Sequence, residues 1–478
     1  MNLINLELKK NYYFNIVIII IFGFLLRIYG FSTNGYWGDE WYTLFFSNPN
    51  NTFAEFKFNL SPKGSGLPTY ENTPWLFYII LKIIFSIFGY YAEIGRIFIL
   101  LFAIGSIYLS FNIIKKYTKN KKIILSLLIL VASNPFLVLE SQETRVQSIV
   151  LFFGLLNLNE FLKLIEQVNL KNRITFIISM FLALSFSPVT LALFVSYIIY
   201  VLVNFYKKKN IYNFIKIFTI SILIYIFFNY EYLSNVFFAK QFQELNLKFF
   251  FSFFFSSFFG TSFFGGFLLL FLIISTIINF NKIIYDKKIL LIYIIITTTY
   301  LLLIIKSINS NLLVPRYIIF IVPLILILVL KNIEKLIFIK KKNKFYLISL
   351  IIFFSLIITF YKINNRPIIK PPTNDLIVSI SRSQVKTITS ESFLFGNYLK
   401  THYLFKKNNL KFLDYKEINN INSSVWFICT NNMRANTSLE NLQDYRFVKC
   451  SSNKLEINMK IIEEINIPDF QARLYAKK

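Results

Sequence analysis

Apolar residues run along this chain in long blocks, separated by short gaps rich in lysine. A helix needs roughly 20 apolar residues to cross the hydrocarbon of a bilayer. By that measure the pattern predicts spans near 14–31, 94–114, 123–140, 147–163, 174–187, 188–206, 211–230, 261–281, 289–305, 317–339 and 345–361. The gaps carry Lys115/Lys116/Lys119/Lys121/Lys122, Lys163/Lys171/Arg173, Lys207/Lys208/Lys209, Lys282/Lys287/Lys288 and Lys340/Lys341/Lys342/Lys344. Lysine-rich loops stay in the cytosol, so the crossings between these clusters must come in pairs. The first block follows Lys9 and Lys10 and lacks a small-residue cleavage site. It reads as an uncleaved signal anchor with the amino terminus cytosolic.

One apolar block breaks the pattern. Pro74 to Gly89 is short and carries Lys82 near its middle. Counting it as a span would put the Lys115–Lys122 cluster outside, so it is expected to lie in the outer interface, with Lys82 reaching for water or phosphate. After about eleven crossings, residues 362–478 emerge on the outer side, behind a stiff connector containing Arg366-Pro367 and Pro371-Pro372. Apolar runs there shorten to strand length at Leu376–Ile380, Val425–Cys429 and Leu455–Ile457. The expected fold is a polytopic α-helical membrane protein, with juxtamembrane helices in the first outer loop. Residues 1–361 form the transmembrane part, and 362–478 form a small extracytoplasmic mixed α/β domain.

Composition fits this picture. Charged residues make up 16% of the 478, against about 25% in a soluble protein. The formal charge of +27 comes from 51 Lys+Arg against 24 Asp+Glu. Much of it is lysine in the loops assigned to the cytosol, so the excess sets orientation and implies no nucleic-acid partner. The single histidine, His402, excludes His-rich metal sites and reads as a surface residue. Cys429 and Cys450 both fall in the outer domain, where a disulfide is permitted; a pair of unlinked thiols fits the sequence equally. The Phe-rich stretch Phe249–Phe267 reads as interfacial and lipid-facing aromatics.

The informative charges are the few on the other side. After the first span comes Tyr36-Trp37-Gly38-Asp39-Glu40-Trp41-Tyr42-Thr43, after the third Ser141-Gln142-Glu143-Thr144-Arg145, and after the ninth Pro315-Arg316-Tyr317. Acids and arginines at the membrane face are costly, and are kept for chemistry or for pairing. Asp39, Glu40 and Glu143 could serve chemistry, or simply pair with Arg145 and Arg316 to hold helices together. Arg27, near the outer end of the first span, is expected to snorkel.

In that order, WGDEWYTL, TPWLFYIILKIIFSIFG, EIGRIFILLFAIGSIYL, SNPFLVLESQETRVQSIVLFFGLL and PRYIIFIVPLILIL resemble the GT-C class of polytopic membrane glycosyltransferases. The branch resembled is the one related to protein O-mannosyltransferases and lipid A aminoarabinose transferases. The likeness covers residues 14–163 and, locally, Pro315–Leu330. The chain departs from it at Thr73-Pro74-Trp75, where members commonly carry His-Pro-Pro, and at Ser185-Phe186-Ser187-Pro188, where many have a histidine.

The resemblance implies a polyprenyl-phosphate-linked sugar as donor and an extracytoplasmic glycan, lipid or protein hydroxyl as acceptor, with inversion at the anomeric carbon. Asp39 is then the candidate base, Glu40 an orienting group, and Glu143 a ligand for sugar hydroxyls. Arg145 and Arg316, with Lys82 and Arg96 behind them, are candidates for the phosphate, and Trp37 and Trp41 for stacking on sugar. No cofactor is expected to be required. A divalent metal between Asp39 and Glu143 suits the ligand type but has no support in the spacing. A lipid-linked saccharide flippase, or an oligosaccharide polymerase or ligase, would share the hydrophobic bulk. A flippase would place charge mid-span and often shows repeat symmetry.

Overall fold

The computed structural model describes residues 2–29, 31, 35–65, 71–205, 211–236, 257–279, 285–307, 314–335, 341–365, 373–390, 392–415, 417, 423–430, 455, 459–467 and 470–477. Helix α1 (Asn2–Ile28) leads into four short helices, α2 (Gly38–Phe46), α3 (Phe53–Leu60), α4 (Pro62–Ser65) and α5 (Trp75–Phe88). Then come α6 (Ala92–Tyr117), α7 (Lys121–Ala132), α8 (Pro135–Glu140), α9 (Gln147–Glu166), α10 (Leu170–Phe186), α11 (Leu191–Phe205) and α12 (Ile211–Val236). The bundle is completed by α13 (Ser262–Ile278), α14 (Lys287–Ser307), α15 (Val322–Lys335, entered through a 3₁₀ turn at Pro315–Ile321) and α16 (Lys341–Asn364).

Every expected span contains helix. Among the described residues, eight stretches are long and apolar enough to cross a bilayer by themselves, the longest being Ala92–Tyr117. Helices α10 and α13 fall just short at 17 residues each. The one remaining expected span, the third at 123–140, is broken into α7 and α8 at Ser133-Asn134. Pro135 has no N–H to donate and disfavours helical backbone at Asn134, which turns extended and caps α8 by accepting from Leu137 N.

A break at membrane depth must have its carbonyls satisfied from within the protein. Arg27 Nη1 donates to Ala132 O at 2.8 Å, while Thr359 Oγ1 and Ser355 Oγ of α16 donate to Ser133 O at 2.6 and 3.2 Å. Arg27 therefore does not snorkel: it is 1% exposed and closes the end of α7. The Phe-rich stretch meets the expectation in part, with Phe263 and Phe267 exposed. Residues 249–256 lie outside the described residues, but Phe258 and Phe259 are buried, and Phe258 O accepts from Asn134 Nδ2 at 3.0 Å.

Helix α5 spans about 21 Å at 1.5 Å per residue, short of a roughly 30 Å hydrocarbon core. It buries Phe77, Tyr78, Leu81 and Phe85 and exposes Ile83, Ile87 and Phe88, as an interfacial helix should. Its neighbour α3 opens with a capping box, Thr52 with Glu55.

The C-terminal residues add α17 (Thr373–Ser381), α18 (Phe393–Thr401) and α19 (Tyr403–Lys407) to a five-stranded sheet. Its strands are β1 (Thr387–Ser390), β2 (Lys411–Phe412), β3 (Val425–Thr430), β4 (Met459–Ile467) and β5 (Phe470–Lys477), in the order β2-β1-β3-β5-β4. The first three are parallel, and β5 pairs antiparallel with both β3 and β4. Val425–Cys429 is a strand as expected, but Leu376–Ile380 is helix. It buries Leu376, Ile377 and Ile380 and exposes Val378, a spacing of one and four that suits a helix face. Leu455 is in a helical turn, and Glu456 and Ile457 lie outside the described residues. Cys429 is disulfide-bonded; Cys450 lies outside the described residues.

Candidate active site

The site is built on α2, a helix of nine residues that begins at Gly38 and carries both acids in its first turn. Consecutive helical residues point about 100° apart, and Asp39 and Glu40 accordingly meet different surroundings. Glu40 is fully buried and takes a two-pronged grip from Arg96, Nε to Oε1 and Nη2 to Oε2, each at 3.2 Å. Thr144 N adds a third bond at 2.9 Å. Arg96 spends its remaining donors on Gly35 O and Phe31 O and lies 3.5 Å over the Tyr36 ring. This pair ties α2, α6 and the 141–146 loop into one unit, and its arginine is turned away from solvent.

Asp39 stays partly open, with 24% of its side chain exposed. Its Oδ2 meets Arg316 Nη1 at 2.9 Å and Arg145 Nη2 at 3.5 Å. Arg145 also donates through Nη1 to Asp39 O at 3.2 Å and to Thr43 Oγ1 at 3.3 Å. Burial is the largest influence and works against the Arg145 charge, but Asp39, Tyr78 and Glu71 together outweigh it, and the pKa of Arg145 ends above its usual value. Among the described residues, three buried donors around this carboxylate have no hydrogen-bond partner: Arg145 Nε, Arg316 Nε and Trp37 Nε1. Unmade bonds of this kind cost about 1–3 kcal/mol each.

The other sequence candidates separate by position. Trp37 lies under the Arg316 guanidinium, 5.6 Å from its ring centre, and remains partly exposed at the site. Trp41 is turned the other way, buried against Phe395 and Tyr398 of α18. Glu143 is buried in the same loop as Arg145, and its carbonyl accepts from Arg145 N at 2.8 Å. Lys82 on α5 donates to the carbonyl of Asn51. His402 is not a surface residue: it is 3% exposed, edge-on to Tyr36 and Tyr398, and its Nδ1 accepts from Leu404 N to cap α19. Among the described residues, no three His, Cys, Asp or Glu side chains come together as a metal site.

Glu71 belongs here although the sequence did not single it out. Its Oε1 accepts from Thr73 N at 3.0 Å, just ahead of α5. The pKa of Tyr42 on α2 is raised by burial, then by Glu71 and then by Asp39, which puts its hydroxyl within the fields of both acids. Asn72 O, next in the chain, is held by Tyr232 Oη at 2.6 Å. The signal available in the sequence was an acid in the same outer loop as Asp39, immediately before the Pro74 break.

No protein-family model matches the sequence, and no curated protein matches it. Among solved structures, ArnT from Cupriavidus metallidurans bound to undecaprenyl phosphate aligns over 96% of this chain and 97% of its own, at 10% identity and a TM-score of 0.56. The same protein in the apo state gives 0.57 over the same shares. The Archaeoglobus fulgidus oligosaccharyltransferase, solved with a tethered acceptor peptide, aligns over 84% of this chain and 64% of its own, at 10% identity and 0.49. From α1 through the C-terminal sheet, this chain has the GT-C fold in the form that ArnT displays.

Proposed function

We propose that the chain is an integral-membrane inverting glycosyltransferase that moves a sugar from a polyprenyl-phosphate donor to an extracytoplasmic hydroxyl. One observation carries this reading: a partly exposed carboxylate, Asp39, set against two arginines whose Nε–H groups lack partners among the described residues. ArnT, of the same fold, has been solved with undecaprenyl phosphate bound. The disulfide at Cys429 suits an oxidising compartment for the C-terminal sheet.

The chemistry follows from the charges. The acceptor hydroxyl attacks the anomeric carbon, its proton passes to Asp39, and the bond from that carbon to the lipid phosphate breaks as the new bond forms. Negative charge develops on the departing phosphate, where preorganised cations in a water-poor site stabilise it most. Arg145 and Arg316 supply them through a planar fork matched to phosphate. In the resting site these arginines are shared with Asp39, so an arriving phosphate competes for them and releases the carboxylate towards the acceptor. Glu71 and Tyr42 border the acceptor side, and Trp37 offers its face to the sugar. Glu40 and Arg96 hold α2 in place.

The test is transfer of labelled sugar from polyprenyl phosphate in membranes containing the full chain. Removing a general base typically costs about 10²–10⁴-fold, and Asp39→Asn should fall in that range. Arg145→Ala should lose transfer and weaken donor binding together. Full transfer by Asp39→Asn would sink the base assignment.

A further inference from the structure

We infer that the C-terminal α/β unit holds the reactive carboxylate in place, with Phe395 and Tyr398 of α18 as positioning residues that act on Asp39 through Trp41. The inference rests on the proposed role of Asp39. A helix of nine residues is too short to be stable alone and takes its place from what packs on it. Residues 39 and 41 point about 200° apart on a helix, so the face of α2 opposite Asp39 presents Trp41. That ring is 4% exposed, stacked on Tyr398 at 5.9 Å and 20°, and tilted against Phe395 at 5.2 Å and 59°.

The contact continues on the neighbouring residue. Tyr398 packs on Tyr36 at 5.0 Å, and Tyr36 lies beneath the Arg96 guanidinium that grips Glu40. Both residues after Asp39 are thus backed by α18, one directly and one through Tyr36 and Arg96. Helix α18 is itself fixed to the sheet: Phe395 meets Phe470 of β5 at 5.2 Å, and a Cβ at Gly396 would collide with the Phe412 ring of β2. A second anchor comes from Lys406 of α19, which donates to Tyr90 O at 2.9 Å and lies 3.8 Å over Tyr91 at the corner between α5 and α6.

Trp41 Nε1 and Tyr36 Oη are buried and have no hydrogen-bond partner among the described residues, while the Tyr398 hydroxyl pairs with Thr373 of α17 rather than with Trp41. The grip is therefore made by ring faces, and an aromatic replacement should keep it. The arginines that would meet a donor phosphate lie on the 141–146 loop and the Pro315–Ile321 turn, outside this stack. Loosening α18 should draw Asp39 away from Arg316, which meets α2 through that carboxylate, while Arg145, bonded to Asp39 O and Thr43 Oγ1, follows α2.

The experiment measures binding of undecaprenyl phosphate and single-turnover transfer with the purified full chain. The variants are Tyr398→Ala, Tyr398→Phe, Asp39→Asn and the double variant Tyr398→Ala with Asp39→Asn. Tyr398→Ala should lose turnover by up to about 100-fold, while undecaprenyl phosphate binds at least as tightly as to wild type, because Asp39 competes less for Arg316. Tyr398→Phe should restore turnover. In the Asp39→Asn background, Tyr398→Ala should leave lipid-phosphate affinity unchanged, the non-additivity expected of coupled residues. Should Tyr398→Ala fail to fold, Tyr398→Leu tests the same loss of the ring with most of its volume kept. Equal loss of binding and turnover, additive effects on affinity, or a Tyr398→Phe as poor as the alanine variant would overturn the inference alone. Wild-type chain that binds no undecaprenyl phosphate would overturn the proposed function, and this inference with it.

Discussion

Two acids side by side in α2 have opposite fates because a helix turns between them. Glu40 points inward to Arg96, and breaking a buried pair costs about 3–5 kcal/mol, so that pair serves the fold. Asp39 stays partly exposed. The sequence made Asp39, Arg145 and Arg316 legible because charge at a membrane face is costly, and all three fall on the side that lysine placement predicts to be outer. It could not show that Arg96, 56 positions from Glu40, takes that acid and leaves Asp39 to the other two arginines. Glu71 escaped notice because a polar loop acid looks ordinary until the fold turns it towards Tyr42.

His402 carries a pH consequence of the same kind. Burial first, then the Arg96 charge, pulls its pKa down to about 4 from 6.5. Unfolded chain takes up a proton near 6.5 and folded chain does not, so stability is complete above about pH 6.5 and drains away towards pH 4. Protonated Nδ1 could no longer accept from Leu404 N. The loss should approach about 3 kcal/mol, read as falling protection of α18 and α19 in amide exchange between pH 7 and 4.5. His402→Asn, which keeps a capping acceptor, should flatten that dependence.

At the scale of elements, the pattern located the helices of the bundle but missed how one of them is made. A hydropathy block counts apolar residues and is blind to a proline that frees two carbonyls in mid-membrane. The answer to that break lies in α1 and α16, at Arg27, Ser355 and Thr359, far away in sequence. Arg27→Met keeps the length and loses the donor. It should lower the thermal stability of the detergent-solubilised chain by about 1–3 kcal/mol, while Arg27→Lys retains part of that bond. Helix α17 was misread as a strand because five apolar-rich residues cannot separate the two periods. The short strands β1 and β2, of four and two residues, offered even less.

For the whole molecule, orientation comes from lysine and the site from its opposite. The clusters between α6 and α7 and between α11 and α12 should face the cytosol, with Asp39, Arg145 and Arg316 outside. A cysteine introduced at Lys119 should resist a membrane-impermeant thiol reagent in intact cells and react once they are opened. Labelling in intact cells would reverse the topology and take the outer site with it.

The strand order adds a matter of timing. Strand β5 is the last of the five to be made, yet it lies between β3 and β4 and carries the Phe470 that meets Phe395. A ribosome will have delivered every span, both arginines and Asp39 before the strand that anchors α18 exists. On the proposed function, a nascent chain can therefore enter the bilayer, and even meet its lipid, before α18 is fixed behind Asp39. Synthesis of β5 acts as a late assembly step.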